Sequence, residues 1–351
     1  MKFKNIITAC FVFISLNQDL KASDNCIKVR AALDIGSGTT KIKVAKVDLC
    51  TQKILEIYYK QSKAVTYIDH IRNEELDGEI QIEGINAVLD LKKQAIEALN
   101  KKNIDHKNIE LSGVATEAFR IAKKNSQKFI DRLKVETGFD VKIISQKQEA
   151  LYGFLGAISY AGISNMNAIV WDIGGGSMQL TAYDEKLSKK SKSQEWMFYF
   201  GKIASKTFRN IYLNKIKSPQ LKTPNPIGIK NAQIAIELAR DYAKNEIPKD
   251  LKNRIKENDV EILGIGGVFT DGFKSLTAVD GYLTSEKLEK SIEQKRRLSD
   301  QELGGGDYVD TQVTNMILVY GYMKELGIAK VKVVPVNLSD AVLLGFEPKL
   351  I

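Results

Sequence analysis

One short layout occurs twice in this chain, and it restricts the fold more than any other feature. Residues 28–34 form an apolar strand ending on Asp34, a turn of Gly36-Ser37-Gly38-Thr39-Thr40 follows, and a strand returns over 41–48. Residues 168–171 form a second apolar strand ending on Asp172. Gly174-Gly175-Gly176-Ser177 make its turn, and 178–183 alternates as the returning strand. The two aspartates stand 138 residues apart. A third strand over 54–59 makes the first copy a β-meander, not a βαβ unit. Two copies of one hairpin-led α/β unit imply a pseudo-twofold pair of domains facing a cleft.

The rest of the chain fills in around these copies. Apolar residues at helical spacing (Ile85, Val88, Leu89, Leu91, Ile96, Leu99) predict a helix over 83–102. Strands are expected at 109–114 and 141–144, and helices at 126–137 and 146–161. After the second hairpin, helices are expected at 229–246, 312–326 and 338–345, with strands at 259–265 and 330–334. Strand 41–48 sets Lys41, Lys43 and Lys46 against apolar neighbours, the pattern of a half-exposed strand. Residues 185–195 read as a solvated hairpin tip or loop. Residues 213–228, with Pro219, Pro224 and Pro226, read as an irregular connector. Small and polar residues over 162–167 place the boundary there. The division expected is residues 24–165 and 166–351, with the last helix free to pack back on the first domain.

Composition is that of an ordinary globular protein, 44% apolar and 27% charged in 351 residues. Beyond the N-terminus no run of 18 apolar residues exists, so no membrane span is expected there. The N-terminus differs. Lys2 and Lys4 precede a largely apolar run over 6–16, and Leu20-Lys21-Ala22-Ser23 supplies small residues. That order predicts a secretory signal peptide over residues 1–23, cut after Ala22 or Ser23, and a periplasmic or secreted product. An uncleaved anchor or a buried first strand is the alternative. The net charge is +9, and about +7 without residues 1–23. It comes mostly from scattered lysines, and no basic motif interleaved with aromatics points to nucleic acid. Cys26 and Cys50 flank the first hairpin symmetrically, with their midpoint at position 38 in its turn. In an oxidising compartment that geometry invites a disulfide, and two separate thiols are the alternative.

The motifs carry a consistent chemistry. Consecutive glycines let the backbone approach a ligand, and their N–H groups, with the Ser177 hydroxyl, suit phosphoryl oxygens. Gly36, Ser37, Gly38 and Thr39 repeat the arrangement, with Lys41 as a local counter-charge. Asp172 and Asp34, at strand ends, suit a metal ion or its bound water. Gly264-Ile265-Gly266-Gly267 follows another strand, and a helix over 267–275 is expected there, bringing Gly266, Gly267 and a helix N-terminus to the cleft. Arg120, in Ala115-Thr116-Glu117-Ala118-Phe119-Arg120, offers a fork of donors for phosphate. Glu149 falls in the first turn of helix 146–161. A carboxylate there can act as general base on water, or simply offset the helix dipole.

Taken in order, these residues resemble the exopolyphosphatase/guanosine pentaphosphate phosphohydrolase (Ppx/GppA) family. Leu33 to Lys41 is similar to its first phosphate loop. Ala115 to Asn125 is similar to its arginine motif. Glu136-Thr137-Gly138 and then Val141 to Ala150 resemble the segment with its catalytic glutamate. Asp172 to Ser177 resembles its second phosphate loop, and Gly264 to Gly267 its later glycine motif. The resemblance implies an α/β actin-like fold (sugar kinase/heat-shock chaperone/actin), two ribonuclease-H-like domains around a cleft. It also implies a magnesium ion (Mg2+), hydrolysis of a terminal phosphoanhydride and, as is common in the family, a homodimer. Glu149 is then the base that activates water, and Asp172 and Asp34 handle magnesium. Arg120, Lys41 and the loop amides bind phosphates.

The chain also departs from that pattern. The family usually has asparagine and arginine where Gly38 and Lys41 stand. It has a glycine and a further acidic residue where Gln146 and Gln148 stand, and glutamate in place of Gln179. Leu303-Gly304-Gly305-Gly306-Asp307-Tyr308 replaces an arginine-bearing stretch. The expected function is an exported hydrolase acting on polyphosphate or a nucleoside polyphosphate. The alternatives are a catalytically impaired phosphate or nucleotide binder of the same fold, and a sugar or acetate kinase. Mass spectrometry of the exported protein is expected to find a chain beginning at Ser23 or Asp24; retention of residues 1–22 would indicate the anchor instead.

Overall fold

A computed structural model of the protein describes residues 26–191 and 195–346. The expected signal peptide, residues 1–23, lies outside the described residues.

The first sheet is built on the first hairpin. β1 (Ile27–Ile35) pairs antiparallel with β2 (Thr39–Asp48), and β3 (Lys53–Ala64) pairs with β2. A two-strand ribbon, β4 (Ile71–Arg72) and β5 (Glu75–Leu76), leads into α1 (Gly78–Lys101). Asp77 starts that helix by accepting from the Ile80 N–H with its side chain. β6 (Glu110–Ala115), α2 (Glu117–Ile121), α3 (Ser126–Thr137) and β7 (Asp140–Ile143) follow. β6 and β7 add parallel strands, giving the order β3-β2-β1-β6-β7.

After α4 (Gln146–Ala161) the plan repeats. β8 (Ala168–Ile173) and β9 (Met178–Tyr183) form the second hairpin. α5 (Glu185–Ser191), β10 (Trp196–Gly201), α6 (Ser205–Lys215), α7 (Ile229–Glu246) and α8 (Lys249–Ile255) come next. Then come β11 (Glu261–Ile265), β12 (Tyr282–Thr284), α9 (Ser285–Lys295), α10 (Val309–Leu326), β13 (Lys330–Val333) and α11 (Leu338–Leu343). The sheet order is β10-β9-β8-β11-β13-β12. Its first five strands repeat the order and directions of the first sheet, and β12 adds an antiparallel edge.

Three expectations are corrected here. Residues 185–191, read as loop, form α5; the Asp184 carboxylate accepts from the Leu187 N–H and starts the helix. The helix expected over 267–275 is a five-residue π-helical turn, Val268–Gly272, in which the Thr270 N–H and hydroxyl both donate to the Gly266 carbonyl. Strand β2 is not half-exposed. Lys43 is buried at 3% exposure, because a helix covers the face it projects from.

That helix is α11. Leu338, Val342, Leu343 and Leu344 pack on Ala32, Ala45, Val47 and Val114 of the first sheet. Reciprocally, Phe154 and Ala157 of α4 pack on Ala168, Val170, Leu263 and Ile265 of the second. Each sheet is therefore closed by a helix from the other half of the chain, and the two helices meet where Gly156 leaves room. A Cβ there would lie 3.7 Å from the Ala341 backbone nitrogen. The joint is locked by ions. The Lys43 ammonium reaches both carboxylate oxygens of Asp340 at 2.5 Å, with both side chains buried. Asp340 also accepts from the Asn337 N–H at 2.8 Å.

At the far end of the first hairpin, Cys26 and Cys50 form a disulfide with Cα atoms 5.5 Å apart. The Leu49 N–H donates to the Cys26 carbonyl, so the bond joins positions one residue off direct opposition.

Removing one member of the buried pair leaves the other charge uncompensated. Lys43→Met is expected to cost about 3–5 kcal/mol, and Lys43→Met with Asp340→Leu to recover most of that loss. Urea unfolding of the three proteins checks both values.

Candidate active site

The two glycine turns close alike. The Gly36 N–H donates to the Thr39 carbonyl, and the Gly174 N–H to the Ser177 carbonyl, each at 2.9 Å. The hairpin registers then set Asp34 opposite Lys41, and Asp172 opposite Gln179. Opposed residues project from the same face. In the first turn this makes an ion pair, Lys41 Nζ to Asp34 Oδ2, at 3.4 Å. In the second, an acid stands beside a neutral amide. Gln179 is 1% exposed, and neither end of its amide has a hydrogen-bond partner among the described residues.

Helix α4 brings Glu149 to this place. Ser145 accepts from the Gln148 N–H (3.2 Å), and Gln148 Oε1 accepts from the Ser145 N–H (3.0 Å). This capping box starts the helix at Gln146 and sets Glu149 in its first turn. Gln148 thus caps the helix and is not a further site acid. Glu149 is 6% exposed, and its Oε2 lies 2.8 Å from Arg120 Nη2. The Ser177 hydroxyl donates to Glu149 Oε1 at 3.3 Å, tying the helix to the second glycine turn. Arg120 Nη1 donates to the Ile144 carbonyl at 2.9 Å, so this arginine holds the glutamate and its helix entrance together.

The third glycine segment serves close approach. Gly266 adopts φ +84°, and a side chain there would collide with Asp172 Oδ1 and the Ile173 carbonyl. A side chain at Gly264 would meet Phe269 and Val331, so that glycine serves packing. Gly267 leads into the π-helical turn, which carries Asp271. Helix α6, absent from the sequence reading, anchors the second glycine turn. The Lys206 N–H donates to the Gly175 carbonyl (2.9 Å) and the Ser205 N–H to the Gly174 carbonyl (3.3 Å). Two contacts span the cleft mouth, Thr39 Oγ1 with the Tyr308 hydroxyl at 3.2 Å and Lys206 Nζ with Asp69 Oδ2 at 3.4 Å.

Residues 70–196, which hold Arg120, Glu149, Asp172 and the second glycine turn, match the sequence model of the Ppx/GppA phosphatase family. This stretch belongs to that family. No curated protein sequence matches the chain. Among solved structures, the Aquifex aeolicus Ppx/GppA family member is similar at TM-score 0.63 and 18% identity, covering 91% of this chain and 97% of that one. An exopolyphosphatase-like protein is similar at TM-score 0.67 and 18% identity, covering 93% and 99%. An exopolyphosphatase from Cytophaga hutchinsonii is similar at TM-score 0.64 and 15% identity, covering 91% and 99%. The architecture is the two-domain actin-like fold, and the likeness spans both halves of the cleft.

The structure thus gathers Asp34, Lys41, Arg120, Glu149, Asp172, Ser177 and Gly266 around one cleft. It also holds an acid that the sequence reading passed over. Glu117, the first residue of α2, lies against Gly176 so closely that a side chain at that glycine would collide with Glu117 Oε2. The Ser37 side chain hydrogen-bonds the same carboxylate, so Glu117 touches both glycine turns. Its position inside the arginine motif was the available signal.

Burial raises the carboxyls of Glu117, Glu149 and Asp172 above their ordinary range. Arg120 opposes the shift at Glu117 and Glu149. For Asp172 the neighbouring Glu149 charge adds to burial and the value reaches about 7. Burial pulls the Lys41 ammonium down, but Asp34 and Asp172 outweigh it and hold it above its ordinary value.

These shifts fix a sign. Carboxyls raised in the folded state keep protons that the unfolded chain has lost, so folding is favoured at low pH. That stability is lost as pH rises through the folded value, which for Asp172 is about 7. With chelator present, stability is expected to fall between about pH 4 and pH 7, and Asp172→Asn to raise it at pH 8 by roughly 1–3 kcal/mol with little gain at pH 4. Urea titrations at the two pH values check the pattern.

Proposed function

We propose that the protein hydrolyses the terminal phosphoanhydride of inorganic polyphosphate or a nucleoside polyphosphate, with Glu149 as the base that activates water. The observation that carries this reading is the setting of Glu149. It is buried, its proton affinity is raised, and it stands between Arg120 and the Ser177 hydroxyl at the second glycine turn. A base poised nearer neutrality both takes a proton from water and keeps a driving force to do so. Water attacks the terminal phosphorus as Glu149 takes its proton. The bridging P–O bond breaks, releasing orthophosphate and a chain shorter by one phosphate. The amides of both glycine turns and Lys41 meet the charge on the phosphoryl oxygens.

The residues present also fit a divalent cation. Asp34, Glu117, Glu149 and Asp172 face Lys41 and Arg120, an excess of two negative charges that one Mg2+ balances. Asp172 and Asp34 would hold the ion, which when bound neutralises phosphate oxygens. Among the described residues, Cys26, Asp48 and Cys50 form the group whose donor atoms lie within 4.8 Å of one another, and its two sulfurs are bonded to each other. The cleft acids are wider apart, as suits Mg2+, which keeps several waters and uses one or two carboxylates.

An exported protein would meet polyphosphate or an external nucleotide and not a cytoplasmic signal. The Cys26–Cys50 bond agrees with an oxidising compartment. One observation favours the impaired-binder alternative: the acid opposite Gln179 lacks a second carboxylate across the hairpin.

A phosphate-release assay over polyphosphate lengths and nucleotides, with and without Mg2+, separates the two. The wild type is expected to release phosphate only with Mg2+. Glu149→Gln is expected to lower kcat about 10²–10⁴-fold while changing polyphosphate affinity little. A wild type without turnover, or a variant with full rate, would overturn the reading.

A further inference from the structure

Two side chains with buried, unbonded polar atoms flank the second glycine turn, on opposite walls of the cleft. From the second sheet, Gln179 is almost wholly buried, shares a face with Asp172, and makes no hydrogen bond with either end of its amide. From the first, Glu117 reaches across to Gly176 with its Oε2 buried and also unbonded. Buried polar atoms without partners are costly, and a carboxylate more so than an amide. A carboxylate filling the phosphate cradle as a plug would accept from the amides of Gly174 to Ser177. Oε2 accepts from none of them, so what that oxygen lacks is a cation. The charge balance agrees, because without Glu117 the remaining acids exceed Lys41 and Arg120 by one charge only.

We infer that Glu117 is a ligand of the divalent cation in this cleft, directly or through a bound water, supplying across the domain interface the carboxylate that Gln179 does not supply along the hairpin. The inference rests on the cation assigned to the site under the proposed function, but not on turnover. It makes cation binding depend on both halves of the protein. The ion then draws the first glycine turn, through Ser37 and Glu117, towards the second. Gly176 is required at its position because a side chain would displace this carboxylate.

The test is Mn2+ affinity of the disulfide-intact protein without substrate, read as free Mn2+ by electron paramagnetic resonance. The wild type is expected to bind one ion. Glu117→Gln is expected to weaken binding at least about tenfold. Gln179→Glu added to Glu117→Gln is expected to restore it. Gly176→Ala, which leaves the acid in place but crowds it, is expected to weaken binding as well, and it serves if Glu117→Gln does not fold. Wild-type affinity in Glu117→Gln, or in Gly176→Ala where that is the variant that folds, would overturn the inference. So would a wild type that binds no Mn2+. If Mn2+ binding depends on Glu117 but no substrate is hydrolysed, the proposed hydrolysis fails and this inference stands.

Discussion

Both faces of both sheets must be covered, and the chain meets that need by exchanging helices. Helix α11 closes the first sheet and α4 closes the second, so neither half has a complete core by itself. The Lys43–Asp340 pair sits at the centre of the exchange, away from water, where an unpaired charge of either sign would be very costly. Arg30 supports it by donating to the Val342 and Leu343 carbonyls at the end of α11, at 3.0 and 2.6 Å. The consequence for the site is direct. Because α4 crosses between the halves, Glu149 at its start lies within reach of Arg120 from one half and Ser177 from the other.

The glycines of the cleft have two uses, and only one concerns a ligand. Gly36, Gly174 and Gly175 shape turns whose amides suit phosphate. Gly176 and Gly266 are glycine because carboxylates occupy the space a side chain would need. Gly153 on α4 belongs with them, since a Cβ there would come 3.6 Å from Asp172 Oδ2 and closer still to Ile265. Glycine at these positions therefore permits a concentration of buried negative charge. The carboxyls of Glu117, Glu149 and Asp172 are raised chiefly by burial, and neighbouring carboxylates add to it at Glu149 and Asp172.

The repeated hairpin, most helices and strands and the gathering of Asp34, Lys41, Glu149 and Asp172 were legible in the sequence. They depend on short-range patterns: apolar runs ending on aspartate, glycine turns and a helical period. What was not legible depends on distant partners. Lys43 lies in an alternating pattern that reads as half-exposed, and only the arrival of α11, whose Asp340 is 297 residues away, buries it. Arg120 reads as a phosphate donor, while the structure turns it towards Glu149 and the Ile144 carbonyl. Gln148 reads as a missing acid until its capping of α4 is seen. Glu117 was hidden for the same reason, since its neighbour Gly176 lies 59 residues on and across the cleft.

The duplication does not extend to the chemistry, and the difference gives the cleft a direction. In both hairpins the residue seven positions after the strand-end aspartate stands opposite it. In the first hairpin that residue is Lys41, which forms an ion pair with Asp34. In the second it is Gln179, a neutral amide, and burial with the neighbouring Glu149 charge raises the Asp172 carboxyl to about 7 although Lys41 opposes the shift. Glu149 and Glu117 converge on this second turn, and Glu117 also meets Ser37 of the first. The first turn thus carries a cationic side chain, and the second gathers negative charge. A phosphoanhydride has anionic oxygens on both sides of the bond that breaks. Under the proposed function, a cleft with a fixed ammonium on one wall and an acidic wall opposite that holds a cation would meet both sets at once, which a symmetric pair of turns could not.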